Sequence, residues 1–177
     1  MNGMARVAIL TASDQGAVGE RADASGDAIE ARLRAQGHQV VARITVPDDR
    51  EVVARTLKDW CDSVLAEIVI TTGGTGLTAR DVTPEATRDI AERDVPGIPV
   101  ALWLEGLKKT PYAILSRGVA VTRGHTLIVN LPGNPKAVEE GMDVLLPLFD
   151  HIATLLSGSF EHRTASDTGH ASGAGDV

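Results

Sequence analysis

The sequence of 177 residues contains one cysteine, Cys61, which rules out an internal disulfide framework and any cysteine-cluster metal site. A reducing cytoplasm is the compartment expected for such a chain. Aromatic residues make up only 3%, so a core must be built from Val, Ile, Leu and Ala, a composition that suits layered α/β structure. No apolar run approaches the roughly 20 residues that a membrane span needs. The start, Met1-Asn2-Gly3-Met4-Ala5-Arg6, passes directly into a strand-like segment without a signal-peptide pattern, so a soluble, unexported protein is expected. The net charge of -7 leaves no general basic field to hold a nucleic-acid backbone, and the five histidines show no metal-ligand spacing.

What the chain has instead is short apolar β-branched runs alternating with helical periodicity. Arg6 to Thr11, His38 to Val46, Ile68 to Thr71, Gly118 to Thr122 and Thr126 to Val129 read as strands. Helices are expected over about Asp23 to Gln36, where Ile29 and Leu33 share a face and Gly37 is the stop, and over the stretch where Val53, Leu57, Cys61 and Val64 recur. A third is expected from Thr83, as N-cap before Pro84, to about Arg93, and a further helix somewhere between Pro99 and Lys109. From Lys136 onward Val138, Met142, Leu145, Phe149, Ile152 and Leu156 step by four and three, with Pro147 splitting the run into two helices. The organisation is one α/β domain over residues 1–157. Residues 158–177, rich in Ser, Thr, Gly, Asp and His, are expected to form a disordered tail.

The chemistry concentrates where strands end. Thr72-Gly73-Gly74-Thr75-Gly76 follows a buried strand, and consecutive small residues there let backbone amides converge on an anion; a tight structural turn is the alternative. No Gly-Lys-Ser/Thr follows, so the loop is not a Walker A. Arg80-Asp81-Val82-Thr83 intervene before the Pro84 helix start, which argues against a dinucleotide-binding loop. Asp81 could hold Mg2+ against bound phosphates, or instead pair with Arg80 or cap the helix at Thr83. Asp48 and Asp49, after Pro47, read as a helix cap or as a loop meeting the same crevice. Ser13-Asp14 and Pro132-Gly133-Asn134-Pro135 are further strand-end candidates. Ser116-Arg117, Lys136 or Lys108 could supply a hydroxyl and positive charge to an anionic substrate, although any single lysine can equally be a solvated surface side chain.

Three collinear segments carry a resemblance. They are Thr71-Thr72-Gly73-Gly74-Thr75-Gly76 with Arg80-Asp81-Val82-Thr83-Pro84-Glu85-Ala86-Thr87, then Leu115-Ser116-Arg117-Gly118, then Leu127-Ile128-Val129-Asn130-Leu131-Pro132-Gly133-Asn134-Pro135. With these, residues 5–157 resemble the MogA/MoaB family of molybdopterin adenylyltransferases, which also includes the G domains of gephyrin and of plant molybdenum-insertion proteins. The resemblance implies a three-layer α/β/α fold with a mostly parallel sheet, a homotrimer, and ATP- and Mg2+-dependent transfer of AMP to molybdopterin with release of pyrophosphate. It implies catalytic or metal-holding roles for Asp81 and Asp48. Ser13-Asp14, Ser116-Arg117 and Pro132-Gly133-Asn134-Pro135 would line the substrate and nucleotide crevice, with the glycine-loop amides and Arg117 or Lys136 on phosphate oxygens. Hand-over of product to a molybdate-inserting enzyme would follow. Val100 and Trp103 stand where many bacterial members carry Glu and Arg, and Val121 replaces a common glycine, departures that bear on subfamily. The alternatives are a non-catalytic molybdopterin-binding or delivery protein of the same fold, and the related domains of molybdate-inserting enzymes or competence-damage-type nucleotide hydrolases.

Overall fold

Strands β1 (Arg6–Ala12), β3 (Ile68–Thr72) and β6 (Thr126–Leu131) are buried along nearly their whole length, as strands covered on both faces must be. The structure, a computed structural model, describes residues 4–157, so the expected tail at 158–177 lies outside the described residues. With β2 (Gln39–Val46), β4 (Arg93–Asp94) and β5 (Ala120–Arg123) these strands form one six-stranded sheet in the order β2-β1-β3-β6-β5-β4. The first four run parallel, while β5 is antiparallel to β6 and β4 antiparallel to β5.

Helices cover both faces. On one, Ile29 and Leu33 of α2 (Ala24–Ala35), Val138, Met142 and Leu145 of α6 (Pro135–Leu145), and Phe149 and Ala153 of α7 (Phe149–Leu156) pack on Val7, Ile9, Ile68, Ile70 and Val129. On the other, Val53, Leu57 and Cys61 of α3 (Arg50–Asp62) and Ala86 of α4 (Thr83–Asp89) pack on Ala8, Leu10, Val69, Val121 and Ile128. This is the three-layer α/β/α fold expected, and the alternation of side chains along each central strand is what feeds both layers. No described helix is long and apolar enough to cross a membrane.

Several local expectations need correcting. Asp14–Ala17, directly after the first strand, forms a short helix, α1, for which the sequence shows no helical periodicity. The helix after the glycine loop ends at Asp89, because Arg93 and Asp94 leave it to pair with Thr122 and Val121 as the edge strand β4. Thr83 lies inside the first turn of α4 rather than capping it; the cap position is Val82, which offers no side-chain hydrogen bond. Helix α5 is Gly97–Leu107, followed by a 3-10 turn over Pro111–Leu115 whose start is capped by the Thr110 side chain.

Candidate functional site

Parallel pairing of β2, β1, β3 and β6 brings the loops after all four strands to one edge of the sheet, where ligands of open α/β sheets bind. A cavity of about 500 Å³ opens there. The loops are stitched to each other. The Gly73 amide donates to the Leu131 carbonyl (3.2 Å), and the Thr72 hydroxyl donates to the Pro132 carbonyl (2.7 Å). Gly73 has φ of +90°, and a β-carbon on it would sit 2.3 Å from the Ala12 carbonyl oxygen, so only glycine lets the β3 loop lie this close to the end of β1.

Asp14, Asp48 and Asp81 stand around the crevice on three different loops. The Asp14 amide donates to Asp48 Oδ2 and the Asp48 amide to Asp14 Oδ1, each at 3.0 Å, a reciprocal pair that fixes the β1 and β2 loops against one another. Arg80 reaches across from the β3 loop to bond Asp14 Oδ2. The Arg80 guanidinium, followed by the Asp48 amide, holds the Asp14 carboxyl below its ordinary range. Burial acts to raise the Asp81 carboxyl, but the Thr78 hydroxyl (2.6 Å) and amide (2.9 Å) and the Gly76 amide outweigh it, so Asp81 also titrates below the usual range. Asp48 goes the other way: burial, reinforced by the charges of Asp14 and Asp81, pushes it up. A cluster of like charges in which one member resists ionisation is an arrangement that a cation or a bound counter-charge relieves.

Asp81 therefore neither pairs with Arg80 nor caps the next helix; its carboxylate closes a turn over residues 78–81. Asp49 is the cap of α3, accepting from the Val52 amide at 2.9 Å, which frees Asp48 to face the cavity.

Of the residues expected at the site, Ser13, Asp48, Gly73, Gly74, Asp81, Gly133, Asn134 and Pro135 line the cavity. Asp14 is joined to it through Asp48 and Arg80. Thr75 is buried and accepts from the Ser116 hydroxyl at 3.3 Å. Ser116 and Pro132 border a second, smaller cavity of about 100 Å³ between α5 and α6, where the Trp103 indole donates to the Ser116 carbonyl at 3.1 Å. Arg117 is spent elsewhere: its Nε donates to the Gly76 carbonyl and one terminal nitrogen to the Asp81 carbonyl, both at 2.6 Å, while the other binds Glu85. Lys136 is exposed at the start of α6 and does not line the cavity, and Lys108 pairs with Glu105. Thr11, Arg21, Asp23, Ser25, Thr45 and Arg80, which the sequence does not single out as site residues, also line the cavity. Asp23 carried a legible signal only as the cap of α2, whose Gly26 amide it accepts from at 2.9 Å.

Residues 8–151 match the domain family described as a probable molybdopterin binding domain. The chain belongs to this family. Among its relatives, the molybdopterin adenylyltransferase of Helicobacter pylori strain J99 is 35% identical over 161 residues, covering 87% of this chain and 89% of that protein. The molybdenum cofactor synthesis protein cinnamon of Drosophila melanogaster is 43% identical over 118 residues, 67% of this chain but only 20% of that longer protein. In structure, the molybdopterin biosynthesis enzyme MoaB of Thermus thermophilus superposes with a TM-score of 0.82 at 46% identity, over 88% of this chain and 98% of that one.

Proposed function

We propose that this protein adenylylates molybdopterin: a terminal phosphate oxygen of molybdopterin attacks the α-phosphorus of ATP, the new P–O bond forms, the bond to the β-phosphate breaks, and pyrophosphate leaves. The observation that carries the reading is the convergence of Asp48, Asp81 and the glycine loop on one cavity at the carboxyl edge of the parallel sheet, in a chain that matches the adenylyltransferase relatives along most of its length.

Each group has a part that its chemistry suits. Amides of Gly74 and Thr75, which donate no hydrogen bond among the described residues, and the amino end of α6, whose cap Asn134 is uncharged, favour phosphate oxygens. Arg80 and Arg21 add positive charge to the same wall. Asp81 and Asp48 are the residues that would hold Mg2+. Two carboxylates on one cavity wall suit that ion, which takes the rest of its shell from phosphates and water. When bound, Mg2+ neutralises charge developing on the phosphates. Ser116 and Pro132, which border the smaller cavity, would meet the pterin end of the substrate. Positioning and charge neutralisation supply the acceleration, because such transfers ask little covalent chemistry of the protein.

Exposed Val100, Leu104, Leu107, Tyr112, Ile114 and Leu115 on α5 and the following turn form an apolar face through which the homotrimer that the resemblance implies would assemble. A cytoplasmic enzyme whose product passes to a molybdate-inserting enzyme is the setting that fits. Asp81→Asn tests the site: turnover is expected to drop about a hundredfold or more with the circular dichroism spectrum unchanged. Near-normal turnover in that variant removes Asp81 from the mechanism.

A further inference from the structure

Thr83 is fully buried, and its hydroxyl has no hydrogen-bond partner among the described residues. Both of its backbone groups are used: the amide donates to the Gly74 carbonyl at 3.1 Å, and the carbonyl accepts from the Thr87 hydroxyl at 2.8 Å. A threonine at a helix start ordinarily places its hydroxyl on the amides of the first turn, but Thr83 is already inside that turn. The one donor left unused is thus held in a place where an unmade hydrogen bond is costly, a condition that persists in proteins where function requires it.

The position of that donor is informative. A β-carbon built on Gly74 would lie 2.4 Å from Thr83 Oγ1 and 3.3 Å from Asp48 Oδ1. Thr83 and Asp48 therefore approach the same side of Gly74, and a side chain at 74 would stand between them. Asp48 Oδ2 accepts from the Asp14 amide, whereas Oδ1 accepts no hydrogen bond among the described residues. An unused donor and an unused acceptor thus both lie close to one β-carbon position on Gly74.

We propose that Thr83 is a positioning residue for Asp48: its hydroxyl donates to Asp48 Oδ1 in the catalytic arrangement, so that the carboxylate is fixed at both oxygens, by the Asp14 amide and by Thr83. Gly74 then has a second reason to be glycine besides its φ of +64°. Each carboxylate oxygen keeps a lone pair for a cation or a substrate hydroxyl. The proposal rests on the adenylyl-transfer reading of the site, because Asp48 needs fixing only if it works there.

The test compares Thr83→Val, which keeps shape and removes the donor, with Thr83→Ser, which keeps the donor. Thr83→Val is expected to lower kcat about ten- to a hundredfold, the factor carried by one hydrogen bond to a charged group, with KM for ATP moving less than about threefold. Thr83→Ser recovers most of that loss. A second arm needs no substrate: because Val removes a buried orphan hydroxyl, the melting temperature of Thr83→Val stays level or rises. A Thr83→Val enzyme with full kcat, a Thr83→Ser enzyme as poor as Thr83→Val, or a melting temperature that falls with Thr83→Val overturns the proposal. Failure of the adenylyl-transfer reading shows separately, as absence of AMP transfer by the wild-type protein, and the melting arm still decides whether the hydroxyl is already bonded.

Discussion

Replacing Arg117 separates two accounts of one guanidinium. If it binds phosphate, as the resemblance implied, Arg117→Ala raises KM for ATP and leaves the fold alone. The structure gives it a different task, since it closes the loop that carries Asp81 by bonding the carbonyls of Gly76 and Asp81 and the carboxylate of Glu85. Two carbonyl bonds from a charged donor contribute about 1.5–3 kcal/mol each, and the half-exposed pair with Glu85 adds less than about 1 kcal/mol. Water entering the opened loop recovers part of this, leaving a net loss of about 2–4 kcal/mol. For a chain of this size that corresponds to a drop in Tm on the order of 5–10 °C by scanning calorimetry. Turnover should fall as well, because the turn that aims Asp81 loses its brace, and Arg117→Lys, with one donor group in place of a fork, should lie between. A variant whose Tm matches wild type while KM for ATP rises refutes the clamp and restores the phosphate contact.

Two further outcomes follow from individual environments. Burial pushes the Cys61 thiol up to about 11, so iodoacetamide at pH 8 should leave the native protein unmodified and alkylate it only on unfolding; rapid native labelling contradicts its packing against the sheet. For Asp23, burial raises the carboxyl, but the Arg43 guanidinium (2.8 Å), the Gly26 amide (2.9 Å) and the Thr11 hydroxyl (2.9 Å) hold it below its ordinary value. A folded-state value below the unfolded one means that this stabilisation is present above about pH 4 and is lost as pH falls through the folded value. Asp23→Asn, which keeps a cap for α2, should be less stable in urea at pH 7 and show a shallower loss of stability between about pH 4 and pH 2. Equal acid profiles for the two proteins contradict the ion-pair assignment.

The parts of the fold legible in sequence are those set by periodicity. Ile68 to Thr71 announced a buried central strand, and Val138, Met142 and Leu145 a core-facing helix, because each pattern matches one element only. Thr83-Pro84 misled, since threonine before proline fits the cap and the first turn equally well, and only three-dimensional position distinguishes them. The edge strand at Arg93 and Asp94 has two exposed residues and no alternation to read. At the site, glycines and aspartates at strand ends were visible because backbone geometry and charge restrict which residues can serve there. The partners of Arg80, Arg117 and Asp81 were not, because a long or charged side chain chooses among acceptors brought near by folding: Arg80 meets a residue 66 positions away and Arg117 a carbonyl 41 away.

The central claim is tested most directly by incubating the purified protein with molybdopterin, Mg2+ and ATP labelled at the α-phosphate, then following the pterin by mass and by label. The account predicts molybdopterin carrying the labelled AMP, with one pyrophosphate released for each adenylate formed. Molybdopterin that binds the protein but stays unlabelled, with ATP unconsumed, contradicts it and makes the chain a pterin-binding protein.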